Sequence, residues 1–321
     1  VSGWRPCSGV AAARSRAALL ERARAYFAAA GILAVDTPAL TRYAATDPHI
    51  DSLTAQSSGG GYFLHTSPEF CMKRLLAAGF PDIYSICRVF RDGESGARHA
   101  PEFTMIEWYR LGYSLAAIVE DTLRLIARCL DDPALAGRAE IVDYGEALRR
   151  HAGLDAFGAG IDELAAVTAA DDRLRREIGD ERDVWLDLVM STVVAPSLPA
   201  DRLTVIRHYP ASQAALARPC PADARVADRF EVFRGAMELA NGYVELTDAD
   251  VQRRRFDDDL DMRQRLGRET VPWDRHLVDA LHAGLPDCAG VAVGVERLQM
   301  VLDGTDDIRD VVTFESEHAD A

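Results

Sequence analysis

The residues that could do chemistry in this 321-residue chain stand in three separated segments. Arg91 closes an alternating run, Ile83 to Arg91, that leads into a polar loop holding Gly93 and Gly96. Glu238 and Glu245 lie in a strand-like stretch, Arg229 to Leu246. Arg297 follows the apolar passage Val291 to Val293 and Gly294, at the start of a helical pattern, Val295 to Leu302. Strand, glycine and a helix with an arginine in its first turn suit an anion at the helix N-terminus. Taken singly, each segment reads as readily as a surface ion pair.

The elements that would position these groups follow from periodicity. A second run, Glu102 to Arg110, alternates Phe103, Met105, Glu107 and Tyr109 against Glu102, Thr104, Ile106 and Trp108. Period-two patterns around a glycine-bearing loop predict a β-hairpin. Arg88 and Arg91 are three apart and point to opposite faces, so only one can serve a given site. Glu107 and Tyr109 return on one face, an arrangement that suits a cationic ligand beside an anionic one. Glu238 and Glu245 have opposite parity and converge only if the strand bends, for which Gly242 is the expected irregularity.

Along the rest of the chain, a first helix through Ala30 ends at Gly31, followed by a short strand, Ile32 to Val35, and Pro38. The opening, Val1 to Arg24, is rich in Ala, Arg and Ser like a transit peptide, but its pattern runs on into that helix. Strands are expected over Ile50 to Ala55 and Tyr62 to His65. Thr66-Ser67-Pro68-Glu69 predicts a capping box, with Thr66 as N-cap and Glu69 closing it, before a helix to Leu76. Leu115 to Leu130 is helical. The stretch 131–225 reads as a helical insertion, with helices at Tyr144–Ala152, Ile161–Ala169 and Val184–Val194. Asp248 to Leu266 is a charged helix whose Arg253–Arg255 and Asp257–Asp259 runs are expected on a solvated face.

Composition sets limits. A net charge of −15 argues against a general nucleic-acid-binding surface. Six scattered cysteines without metal spacing predict reduced thiols and, with no long apolar run, a cytoplasmic protein without a membrane anchor.

Three segments, in order, resemble the three motifs of class II aminoacyl-tRNA synthetases: Ala18 to Pro38, the FRDGESGARHAPEF hairpin and GVAVGVERL. TSPEF, RHAPEFTMIEWYR, ELANGYVELTD and PDCAGVAVGVERL are similar to the lysyl enzymes, and most of all to their short paralogues, the elongation factor P lysine ligases. The resemblance covers nearly the whole chain. It implies an α+β fold, an antiparallel sheet flanked by helices, in one catalytic domain spanning 1–321, and a homodimer formed through motif 1. The motif 1 helix begins close to residue 1, so no anticodon-binding domain is expected.

The activity implied is ATP-dependent formation of an aminoacyl-adenylate from lysine or (R)-β-lysine, with Mg²⁺, and transfer to a lysine of elongation factor P. By resemblance Arg91 contacts the α-phosphate and Arg297 the γ-phosphate, while Glu238 and Glu245 bind Mg²⁺. Asp92, Gly93, Ala100, Phe103, Leu239 and Gly294 surround ATP, with Phe103 on the adenine and Asn241 near the acids. Ser67, Pro68, Glu69, Glu107, Tyr109, Glu245 and Ala292 line the amino-acid pocket. Arg91-Asp92-Gly93 departs from the family's usual Arg-Asn-Glu, so Asp92 or Glu94 would replace the missing glutamate. Ala100 replaces a usual Asn or His. Ala292 stands where lysyl-tRNA synthetases have glycine and the ligases alanine. Its methyl is expected to disfavour α-lysine by about 1–3 kcal/mol. Two other readings are a lysyl-tRNA synthetase core acting on tRNA, and a non-catalytic regulatory paralogue.

Overall fold

The computed structural model describes residues 5–315. In chain order its helices and strands are α1 (Val10–Ala29), β1 (Leu33–Ala34), β2 (Leu40–Thr41), β3 (Thr54–Ser57), β4 (Gly60–Leu64), α2 (Glu69–Ala77), β5 (Ile83–Phe90), β6 (Glu102–Leu111) and α3 (Leu115–Cys129). Then come β7 (Glu140–Asp143), α4 (Tyr144–Ala152), α5 (Ile161–Val167), α6 (Asp172–Ile178), α7 (Arg182–Val189), a π turn (Met190–Val194), the single turn α8 (Ala195–Ser197) and β8 (Thr204–Arg207). The chain finishes with β9 (Arg229–Arg234), β10 (Met237–Val244), α9 (Ala249–Arg265), α10 (Arg275–Gly284), β11 (Cys288–Gly294) and α11 (Val295–Asp303).

Eight strands form one sheet in the order β1-β5-β6-β11-β10-β9-β8-β7, antiparallel except for the parallel edge pairs β1/β5 and β7/β8. The fold is α+β, as expected. The predicted hairpin pairs Ile83 with Tyr109 and Phe90 with Glu102. Its even-numbered residues Tyr84, Ile86, Ile106 and Trp108 pack on α1 and α3, where Phe27 stacks on Tyr84 at 4.2 Å. Asp121 of α3 ties these layers together by accepting from Trp108 Nε1 at 3.1 Å and from the Tyr26 hydroxyl. The odd-numbered face is left for a site.

Several expectations are corrected. Arg229 to Leu246 is a hairpin turning at Gly235, whose φ of +55° favours glycine, and not one strand. Residues 50–53 are not strand: the pairing begins at Thr54. The segment 131–225 builds its helices around an apolar cluster that includes Tyr144, Leu148, Trp185 and Val189. It also supplies β7 and β8, which extend the main sheet. On α9, Arg253 and Arg254 are exposed, but Arg255 donates to the Ala215 and Ala217 carbonyls and Asp259 accepts from Thr46. That side of the charged run is therefore packed. No helix among the described residues is long and apolar enough to cross a membrane, and none of the six cysteines is disulfide-bonded.

Glu296, in the first turn of α11, is 2% exposed. Its carboxylate accepts from Thr104 N at 2.9 and 3.1 Å and pairs with Arg16 of α1 at 2.9 Å. This clamp fixes α11 against β6 and so aims the next residue, Arg297. Glu296→Leu leaves the Arg16 charge without its counter-ion and the Thr104 N–H without an acceptor, and should cost about 3 kcal/mol. A urea midpoint lowered accordingly, with the slope unchanged, is the expected result.

Candidate active site

The odd-numbered face of β6 forms the floor of a cavity of about 840 Å³ together with β10 and β11. Cross-strand register sets the floor out in rungs. Tyr109, Gly290 and Tyr243 make one, and Glu107, Ala292 and Asn241 the next. Met105 and Gly294 follow. Residues directly opposite in an antiparallel pair share a face, so the middle strand turns Gly290, Ala292 and Gly294 toward the cavity, whose lining also takes in Val291. Its Ala289, Val291 and Val293 go to the core. The floor is thus low in the middle and walled by large polar side chains. From Phe103 to Tyr109 it runs roughly 20 Å along β6.

One end is cationic. Arg91, Arg98, His99 and Arg297 line it with Phe103, Ala100, Glu94 and Leu239. The Arg91 guanidinium sits 5.2 Å from the Phe103 ring centroid and 3.4 Å from Glu94. Its Nε is buried without an acceptor among the described residues, a donor left for an anion. Arg297 pairs with Glu238 at 3.1 Å and contacts the His99 ring. Burial, and after it the Arg297 charge, lowers the His99 pKa, so the imidazole is neutral there. Arg88, on the other face, is exposed and faces Glu102, as parity requires.

The other end is acidic. Ser67 Oγ donates to Glu107 Oε2 at 2.7 Å, and the Tyr109 hydroxyl donates to Glu107 Oε1 at 2.7 Å. Glu69 does not close a capping box. Ser67 Oγ instead accepts from Glu69 N at 3.0 Å, which frees the Glu69 carboxylate. It accepts from Tyr243 at 2.6 Å and pairs with Lys73 at 2.7 Å. Lys73 also lies 2.5 Å from Glu245 Oε2. Burial, then repulsion from Glu69, pushes the Glu107 pKa up to about 7. Burial also pushes Glu245 up, to about 8, with Lys73 opposing it.

Glu238 and Glu245 do reach one cavity, but the bend is not at Gly242. The register slips between Glu238 and Ala240, a bulge at Leu239 that returns Glu238 to the face of Asn241 and Tyr243. Gly242 serves close packing instead, since a Cβ there would stand 2.8 Å from both the Gly290 carbonyl and the Phe230 ring. Gly290 is needed in the same way: a Cβ would lie 2.4 Å from the Tyr109 ring and 2.5 Å from Glu245 Oε1.

Of the residues expected here, Ser67, Pro68, Glu69, Arg91, Ala100, Phe103, Glu107, Tyr109, Glu238, Leu239, Glu245, Ala292, Gly294 and Arg297 all line the cavity. Asp92 and Gly93 do not. Asp92 is bridged to Asp51 and its carboxylate accepts from Gly93 N, which turns both outward. Glu94 faces the cavity in their place. Sequence reasoning missed Lys73, His99 and Gly290. Only the i,i+4 spacing of Lys73 from Glu69 on one helix face could have signalled the first.

The donor set fits a magnesium ion and an ammonium alike. Asn241 Oδ1, on the cavity face of β10, and Glu245 Oε1, just past its end, are buried with no hydrogen-bond partner among the described residues, and Glu238 adds a third oxygen donor.

Residues 9–318 match the family described as tRNA synthetases class II (D, K and N). A protein of Pseudoalteromonas translucida named elongation factor P–(R)-β-lysine ligase is 39% identical, over 99% of both chains. One of the same name from Salmonella arizonae is 40% identical over 98% of both.

Gly290→Ala should displace Tyr109 or Glu245 and weaken binding of a diammonium probe such as lysine at the acidic end about tenfold or more, by calorimetry. Binding of that probe should also strengthen as pH rises from 6 to 8. Protonated Glu107 and Glu245 cannot balance two ammonium groups, and their raised pKa values place their ionisation in that window.

Proposed function

The chain belongs to the family of class II tRNA synthetases (D, K and N), and we propose that it is an ATP-dependent ligase that activates (R)-β-lysine and transfers it to a lysine of elongation factor P. The observation that carries this reading is a single cavity with arginines at one end and three acids at the other. A triphosphate and a diamine acid can lie there head to head.

In the first step the amino-acid carboxylate attacks the α-phosphorus of ATP and pyrophosphate leaves. Little proton chemistry is needed, so alignment and charge stabilisation supply the rate. Arg91, with its free Nε, meets the α-phosphate, and Arg297 the γ-phosphate once Glu238 is drawn away. Phe103 offers its ring to the adenine, beside Ala100 and Leu239. Gly294 leaves open space where a Cβ would meet nothing of the protein. Glu238 and Glu245, with Asn241, would hold Mg²⁺, which supplies positive charge to the phosphate oxygens. Glu69, Glu107, Tyr109 and Glu245 receive the amines, and Ser67 and Pro68 shape the wall. In the second step a lysine ε-nitrogen of elongation factor P attacks the acyl carbon. An amide forms, the bond to AMP breaks, and the amine releases a proton.

Ala292 lies between Glu107 and Asn241, where its methyl narrows the pocket. That place supports a preference for the amine displaced by one carbon. We further take the enzyme to be cytoplasmic and to dimerise through α1 and its following strand.

Mass spectrometry of elongation factor P after incubation with enzyme, ATP, Mg²⁺ and each lysine isomer should find a lysyl-sized adduct on one lysine. Charging of bulk tRNA with no such adduct would favour a tRNA ligase instead. Absence of pyrophosphate exchange with every isomer would leave a regulatory paralogue. Ala292→Gly should raise α-lysine use relative to (R)-β-lysine by about 10–200-fold in pyrophosphate exchange.

A further inference from the structure

Lys73 is the only lysine in the 321 residues, beside 35 arginines. It stands one turn into α2, 2% exposed, and does not itself line the cavity. Its Nζ lies behind the wall, 2.7 Å from Glu69 Oε1, 2.5 Å from Glu245 Oε2 and 5.5 Å from the Tyr243 ring centroid. Every other cation of this chain is a planar guanidinium. Here a slim stem carries a compact ammonium with three donors into an enclosed place between two carboxylates, a task to which a guanidinium is less suited.

The other charges around this end are partnered or exposed: Asp47 accepts from His49 N, and Asp258 is exposed. Glu107 is anchored by Ser67 and Tyr109. Tyr243 donates to Glu69, and Cys288 of β11 is a thiol raised by burial. Arg255 is engaged with carbonyls, Asp259 with Thr46, Asp274 caps α10, and Arg229 pairs with Glu231. The amino-acid end therefore sets three carboxylates, Glu69, Glu107 and Glu245, against one resident cation.

We propose that Lys73 is a positioning residue that holds Glu69 and Glu245 in place and fixes the ionised pocket at minus two, selecting a substrate with two ammonium groups over one with a single group. The proposal rests on the ligase reading above. Lysine and β-lysine each bring two ammonium groups to this end, matching its two net negative charges, while their own carboxylate turns toward the arginine end. A mono-ammonium analogue leaves one carboxylate unbalanced, at the cost that any unpaired buried charge carries.

Charge-altering variants separate this from a purely structural role. Lys73→Met, of similar volume, takes the ionised pocket to minus three. It should weaken lysine and β-lysine binding, measured by calorimetry without nucleotide or Mg²⁺, about tenfold or more. The double variant Lys73→Met/Glu69→Gln returns to minus two and should bind lysine more tightly than Lys73→Met alone. Glu69→Gln by itself, at minus one, should lose about tenfold of the wild-type preference for lysine over norleucine. This last measurement, by calorimetry, needs no folded Lys73→Met protein.

Lysine affinity within twofold of wild type in Lys73→Met, a double variant no better than the single, or an unchanged preference in Glu69→Gln would overturn the role of Lys73. Failure of the ligase reading shows differently, as a wild-type protein that binds lysine with the stated preference yet gives no pyrophosphate exchange. A wild-type protein that binds no lysine isomer overturns both.

Discussion

An ammonium enclosed between two carboxylates is the contact on which the acidic end of this molecule depends. Lys73 draws Glu69 from α2 and Glu245 from the end of β10 to one point. Bringing acids together in a dry place is opposed by desolvation and by mutual repulsion. Without a resident cation they would turn outward or take up protons. With one, they face inward and keep room for a further cation. The Glu69 carboxylate is available for this because Ser67 meets the helix N-terminus instead.

The second constraint is steric, and it lies in the middle of the sheet. On β11 Gly290, Ala292 and Gly294 face the cavity, while the side chains of Ala289, Val291 and Val293 join the core, Val291 also reaching the cavity lining. One strand is thus apolar toward the helices and nearly without side chains toward the cavity. Large groups on β6 and β10 rise on either side of it. Arginines gather where β5 and α11 reach the hairpin loop, and acids where α2 closes the far end. An anionic and a cationic subsite therefore share one floor, separated by strand length and not by domains. Such a frame suits a reaction whose barrier is lowered mainly by holding a carboxylate against a phosphorus amid fixed charges.

Much of this could be read in the chain. Two-residue periodicity put Phe103, Glu107 and Tyr109 on one face, and Arg88 and Arg91 on opposite ones. Helical periodicity located Leu115–Leu130 and Tyr144–Ala152 closely, because each buries a stripe set by its own residues. Motif order joined Arg91, Glu238 and Arg297 before any geometry was available. The strand over Arg229 to Leu246 was less legible, since a turn at Gly235 and a continuing strand share the same apolar alternation. The packed side of α9 was hidden too, because a charged run carries no local sign of what lies opposite it.

The sequence by itself determined which side chains point the same way within one element, for parity and helical pitch are properties of local backbone geometry. It also determined the pairing of an arginine set with an acid set. The tertiary structure decided which of them meet. The bulge that brings Glu238 to the face of Tyr243 is at Leu239 and not at Gly242, because a bulge is defined only against the register of a partner strand. Asp92 turned away because Asp51, distant in sequence, pairs with its backbone. Gly290 is hemmed in by side chains from two other strands, and Lys73 is paired with an acid 172 positions further along. Close approach and charge balance belong to pairs of residues that only folding brings within a few ångströms.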